Sequence, residues 1–216
     1  MIDLQRLAHD CEQFVAARTA ADPAHDISHV KRVVTTALQL TDIEQAKKEI
    51  TLPAAWLHDC VQVAKDSPDR ERASRLSADE AVHFLRDWGY PETQLEAVHH
   101  AVAAHSYSAN IPVRSKEAGV VQDADRLDAL GAMGIARCLL TGGAMGSALY
   151  DPEDPFAQHR PLDDRAFMVD HFYRKLFKLP DTMQTEAGRA EAQRRANHMR
   201  LWLQELGREA GHRLPA

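Results

Sequence analysis

The sequence predicts an all-α fold, a compact irregular helical bundle. Nearly every segment longer than ten residues carries apolar side chains at intervals of three or four. No stretch of useful length alternates apolar and polar residues as a half-buried strand would. Proline and glycine fall where helices would open and close.

The elements follow in order. Residues 2–19 place Leu4, Leu7, Cys11 and Val15 on one face, and the Asp22, Pro23 pair ends that run. Residues 28–42 form a second helix through Val30, Val33, Val34, Ala37 and Leu38. Pro53 suits the first turn of a third, which carries Ala54, Leu57, His58 and Val61. Ser77 and Glu80 form a capping box ahead of Ala81, Val82, Phe84 and Leu85, and Gly89 closes that helix. Pro91 opens the next, running toward His105, and residues 116–137 make a further helical segment rich in alanine and leucine. Residues 141–162 hold three glycines and three prolines with few periodic apolar positions, so they read as a long ordered loop. Residues 162–179 and 186–209 complete the chain as two helices.

At 216 residues the chain suits one domain, with a core at about residues 20–140 followed by the loop and two last helices over 141–210. Its 44% hydrophobic and 27% charged residues describe an ordinary globular protein. A formal net charge of -6 argues against a nucleic-acid polymer as partner, although a small phosphorylated substrate needs only a local basic or metal-rich pocket. Cys11, Cys60 and Cys138 form no CxxC pair, which suits reduced thiols and a cytoplasmic location. The first residues carry acids and no long apolar core, so no signal peptide is expected. No apolar run reaches membrane-spanning length, and no basic amphipathic helix suggests membrane contact. The oligomeric state stays open, a homodimer included.

Chemistry concentrates in three separated segments. His29 lies in HDISHVKRV, His58 and Asp59 in AAWLHDC, and Asp125 in VQDADRLDALGA. Two histidines and two carboxylates can hold a divalent cation and leave positions open where water becomes a nucleophile. The commonplace alternative for His58 and Asp59 alone is a hydrogen-bonded pair at a helix end. Against it, burying both after the apolar AAWL costs several kcal/mol unless they are paired or metal-bound. In HDISH, Asp26 or Ser28 suits a helix N-terminus, His29 reads as a ligand, and His25 as a residue that orients one from behind. Asp123 and Asp125 point in roughly opposite directions on a helix, so only one of them easily reaches a common ion; Asp128 lies one turn beyond Asp125. His99, His100 and His105 sit among apolar residues, where His100 or His105 can line a pocket and His105 can hold phosphate or shuttle a proton. Arg32, Lys65, Arg126 and Lys175 are candidate phosphate contacts, Lys65 first among them because it follows the His58, Asp59 pair by six residues.

Together HDISH, LHDC and DADRLD resemble the HD-domain phosphohydrolase superfamily, whose pattern is H…HD…D. The longer segments HDISHVKRV, DADRLDALGAMGIAR, EDPFAQHRPLDD and HFYRKLFKLPDTMQTEAGRA look like a bacterial subfamily of small stand-alone members, and that resemblance spans nearly the whole chain. It implies an HD-type helical fold and makes His29, His58, Asp59 and Asp125 the metal ligands. It also implies hydrolysis of a phosphoester or phosphoanhydride, with a nucleotide as the favoured substrate. Related members convert nucleoside triphosphates to monophosphate and pyrophosphate. Manganese is the expected ion, and Fe²⁺, Co²⁺, Ni²⁺ and Mg²⁺ are compatible with mixed imidazole and carboxylate ligation. The expected catalytic residues are Asp59, Lys65, His105 and Asp128; the expected substrate contacts are Arg32, Lys65, His100, His105 and Arg126. Some relatives place a water-activating acid three residues after the HD pair. Here that position is Gln62, which leaves His105, Asp123, Asp128 or the metal alone to activate water. Two rival readings are a di-iron oxygenase and a nucleotide sensor without turnover. His159 and Arg160 make the 141–162 loop either a cover for substrate or packing for the last helices.

Overall fold

The computed structural model describes residues 2–18, 27–63 and 72–212, and His25, Asp26, Lys65 and the break at Asp22 and Pro23 lie outside them. Among the described residues the chain forms nine α-helices and one 3₁₀ helix, with no strand beyond an isolated bridge between Ala148 and Phe167. It divides into two compact units. The first runs to Asp125 and regains Gln184–Gly188; the second comprises Arg126–Met183 and the chain from Arg189 onward.

The first unit is built around a buried helix. α1 (Leu4–Ala16), α2 (Ile27–Glu44), α4 (Ala73–Trp88) and α5 (Glu92–Ala104) all pack on α3 (Lys48–Leu57), in which every residue from Ile50 to Leu57 is buried. α3 starts a turn earlier than the sequence suggests, so Pro53 stands inside it and not in its first turn. An interior proline removes the hydrogen bond to the carbonyl four residues back. Here that carbonyl belongs to Glu49, and the hydroxyl of Tyr90, 41 residues away, donates to it instead.

The capping box at Ser77 is likewise corrected. α4 begins at Ala73, and Ser77 lies inside it, buried, with its hydroxyl accepting the Val61 N–H at 3.2 Å. That bond holds the segment just after the His58, Asp59 pair. Gly89 does close α4, in the left-handed conformation (φ +86°) that glycine adopts without penalty.

α6 (Lys116–Leu127) carries Asp123 and Asp125. The helical segment expected to continue to residue 137 breaks after Leu127 and restarts as α7 (Gly131–Ala144), with Gly131 at φ +72°.

In the second unit, the long connection expected over 141–162 runs over 145–167, because α7 continues to Ala144 and α8 starts only at Met168. The helix expected over 162–179 is shorter: the Ala166 carbonyl and the Met168 N–H pair with Ala148, the Val169 N–H donates to the Leu149 carbonyl, and α8 covers only Met168–Arg174. A 3₁₀ helix, Leu176–Thr182, follows, and then α9 (Glu186–Ala210). Phe172 is fully buried and stacks on Trp202 with ring centroids 5.7 Å apart.

The long connection is organised by Arg160. Its guanidinium makes two hydrogen bonds to the buried Asp170 carboxylate, at 2.6 and 2.8 Å, and lies over the Phe167 ring. Asp154 accepts the N–H groups of Gln158 and His159. Arg160 thus serves the architecture of its own loop.

Candidate metal centre

His58 follows the last residue of α3, still in helical conformation, so its ring stays close to the helix end. Its Nδ1 lies 2.8 Å from the Ala55 carbonyl. A carbonyl only accepts, so Nδ1 carries the proton and the lone pair is on Nε2. That Nε2 is fully buried and has no hydrogen-bond partner. It faces carboxylates: Asp59 Oδ2 at 3.6 Å and Asp125 Oδ1 at 4.0 Å. His29, almost wholly buried in the first turn of α2, places its Nε2 3.5 Å from Asp125 Oδ1.

The donor atoms of His29, His58 and Asp125 all lie within 4.8 Å of one another. Ligands at about 2.0–2.2 Å from one ion stand at most roughly 4.4 Å apart, so a small contraction would place all three around a single divalent cation. A buried imidazole lone pair aimed at carboxylates is costly as it stands, and a cation there would satisfy both. The donor set fits the group that the sequence implies.

The charge states suit the same purpose. Burial would raise the Asp125 carboxyl, but its hydrogen bond to His29 and the nearby rings of His58 and His105 hold it down at about 2. Burial pushes the His58 ring below its ordinary 6.5, which keeps it neutral and able to ligate.

His105 ends α5 next to this cluster, its ring edge-on to His58 with centroids 5.0 Å apart. Nδ1 is fixed on the Val102 carbonyl at 2.6 Å, and Nε2 lies 3.4 Å from Asp59 Oδ1. Asp59 therefore turns one oxygen toward His58 and the other toward His105. Burial, the largest single influence, would lower the His105 pKa, yet the Asp59 carboxylate, the Asp125 charge and the Val102 carbonyl together outweigh it and the net shift is upward. Because the folded value lies above the ordinary 6.5, the stability the pair contributes is complete below 6.5 and lost as pH rises through the raised value. In metal-free protein the ring protons of His105 should titrate above 6.5 by NMR, and Asp59→Asn should move that titration downward. An unmoved titration would remove Asp59 as the cause.

The first two acids of DADRLD separate cleanly. Asp123 is fully buried and accepts three hydrogen bonds: Gln184 N–H at 2.8 Å, Thr185 N–H at 2.8 Å and the Thr185 hydroxyl at 2.7 Å. It links α6 to the start of α9, and its lone pairs are committed. It is therefore withdrawn as the group that activates water. Sequence reasoning missed this link, although a threonine directly before a helix is a capping signal, and Thr185 Oγ1 does accept the Gly188 N–H.

The remaining candidates have partners or positions of their own. His100 accepts the Arg114 backbone N–H at Nε2, and the Arg114 guanidinium lies 3.3 Å from Nδ1, so this ring braces the α5–α6 connection. Asp128 is buried in an ion pair with Arg137, and Arg126 donates to the Thr182 carbonyl, both within the second unit. Arg32 is half-buried on α2, one turn after His29, and Gln62 is exposed. Lys175 marks the end of α8.

A fold of this kind, with histidines and aspartates gathered from α2, the end of α3 and α6, defines a class of helical metal-site proteins. The chain belongs to the HD domain family, which matches its residues 26–130. It is 34% identical over 197 residues to the YpgQ protein of Bacillus subtilis (strain 168), covering 88% of this chain and 87% of that protein. It also resembles the crystal structure of B. subtilis YpgQ in complex with ADP, at 31% identity and a TM-score of 0.76, covering 96% of this chain and 97% of that one. An HD-superfamily hydrolase from Bacillus thuringiensis is similar at 32% identity and a TM-score of 0.75, covering 95% of this chain and 97% of that one.

Proposed function

We propose that this protein is a metal-dependent phosphohydrolase that cleaves a nucleoside triphosphate to the monophosphate and pyrophosphate. The observation that carries the reading is the buried, unpartnered Nε2 of His58 facing the carboxylates of Asp59 and Asp125, beside His29. Hydrolase chemistry is supported by the B. thuringiensis relative, and a nucleotide substrate by the ADP complex of YpgQ.

His29, His58, Asp59 and Asp125 would hold the ion, Mn²⁺ being the expected one. When bound, a divalent ion supplies a water that ionises near neutral pH and polarises a phosphoryl oxygen. His105 holds a proton on Nε2, kept there by Asp59, and can pass it to the departing phosphate oxygen. Arg32, one turn from His29, and Lys65, just after the HD pair, are the side chains assigned to offset phosphate charge.

Metal-stripped protein given Mn²⁺, Fe²⁺, Co²⁺, Ni²⁺ or Mg²⁺ in turn tests this reading, with pyrophosphate and phosphate release measured separately. Pyrophosphate from nucleoside triphosphates, absent in His58→Ala, is the expected result. Intact triphosphate after long incubation with every ion would overturn turnover and leave a nucleotide sensor.

A further inference from the structure

The chain leaves the first unit at Asp125, builds the second, and returns at Gln184–Gly188 to close on Asp123. We infer that this returning segment is a positioning device for Asp125: the clamp on Asp123 sets the register of α6 and so places the Asp125 carboxylate. The inference rests on the reading of Asp125 as a metal ligand.

The contacts are specific. Thr185 uses its backbone N–H and its hydroxyl on the same Asp123 oxygen, while Gln184 N–H takes the other oxygen. The same hydroxyl accepts the Gly188 N–H at 3.0 Å, so one side chain ties the Asp123 carboxylate to the first turn of α9. Gly188 presses directly on the carboxylate: a Cβ there would stand 2.3 Å from Asp123 Oδ2 and 2.7 Å from Thr185 Oγ1. Glu44 reinforces the arrangement from α2, its carboxylate accepting the Ala187 N–H at 2.8 Å and its backbone carbonyl accepting Lys116 Nζ at 2.6 Å. The helix carrying His29 and the helix carrying Asp125 are thereby joined through groups that touch neither ligand. Rotating or sliding α6 by even a fraction of a turn would carry Asp125 Oδ1 away from His29 and His58.

Thr185 and Gly188 are thus positioning residues, and Mn²⁺ affinity measured by calorimetry on the full chain reports their effect. Thr185→Val keeps the shape and loses the hydroxyl; Gly188→Ala drives a methyl into the carboxylate; Thr185→Ser keeps the hydroxyl. The first two should weaken Mn²⁺ binding by about tenfold or more, the scale of groups that orient metal ligands, and the third should bind like wild type. Leu85→Ala, which opens a cavity on α4, is the control for general loosening, and thermal unfolding is measured for every variant. It should lower Tm and leave Mn²⁺ affinity unchanged. Wild-type affinity in Thr185→Val would overturn the inference even if Gly188→Ala does not fold. An equal loss of affinity in Leu85→Ala would overturn it too. A wild-type chain that binds no divalent ion would overturn the metal reading together with it.

Discussion

Alanine in place of Asp125 is expected to abolish retention of a divalent ion and turnover together, a fall of about 10³-fold or more in kcat/KM. Asp125 supplies the carboxylate in the cluster with His29 and His58, and one of its oxygens faces both rings. Without it the two imidazoles confront each other with no anion between them. The folded chain is already arranged to keep that carboxylate ionised, with its pKa held at about 2, so protonation does not remove its charge in any ordinary buffer. Asparagine would keep the size and one acceptor oxygen but not the charge, and should fall between alanine and wild type in metal content. Metal analysis after dialysis, paired with pyrophosphate release, measures both quantities. Full metal content with undiminished activity in Asp125→Ala would refute the assignment.

The second large effect concerns stability and lies in the second unit. Asp170→Ala should cost about 3–5 kcal/mol, because removing one partner of a buried ion pair strands the other. Asp170 is fully buried, and it accepts two bonds from Arg160 and one from the Asp163 N–H at 2.7 Å. Alanine leaves a mostly buried guanidinium with Asp151, at 3.4 Å, as its remaining carboxylate partner. The 145–167 connection should then become a site of early proteolysis, since Arg160 is what gathers it. Urea unfolding gives the magnitude. A loss below about 1 kcal/mol would mean that the pair is worth no more than an exposed one.

Much of the fold was legible because helical periodicity is written locally. The apolar faces of α1 and α2, the stop at Gly89 and the long connection after α7 each follow from residues close together in sequence. Where the sequence misled, a distant partner decided. Pro53 is tolerated inside α3 because Tyr90 satisfies the carbonyl it frees, and no local pattern announces that hydroxyl. Ser77 looks like a cap, yet packing buries it and Val61 takes its oxygen. Residues 162–179 have helical composition, but the segment at 148–149 takes the Ala166 carbonyl and the N–H groups of Met168 and Val169 in a bridge that delays the helix.

The site divides in the same way. His29, His58 and Asp125 stand out as residue types that are costly to bury together, and the structure gathers them. His100 and His105 look alike in the sequence. Only the position of Arg114 commits one to bracing a connection, while Asp59 faces the other. Asp123 and Asp125 are equally acidic and two residues apart, and only the segment at 184–185 reveals which of them is already engaged.

That segment has a consequence for how the protein comes into being. During synthesis the four residues proposed as ligands have all emerged once residue 125 leaves the ribosome, but the Thr185 partner of Asp123 lies 62 residues beyond it. Until then Asp123 lacks the three donors that it keeps in the finished fold, and α6 is held by its apolar face and by earlier partners such as the Glu44 and Ala104 carbonyls, which accept from Lys116 and Gln122. The second unit is made in the interval. On the metal reading, completion of the site is a late event in the life of the nascent chain, and a polypeptide terminated before Gln184 would carry every proposed ligand without the donors that hold Asp123.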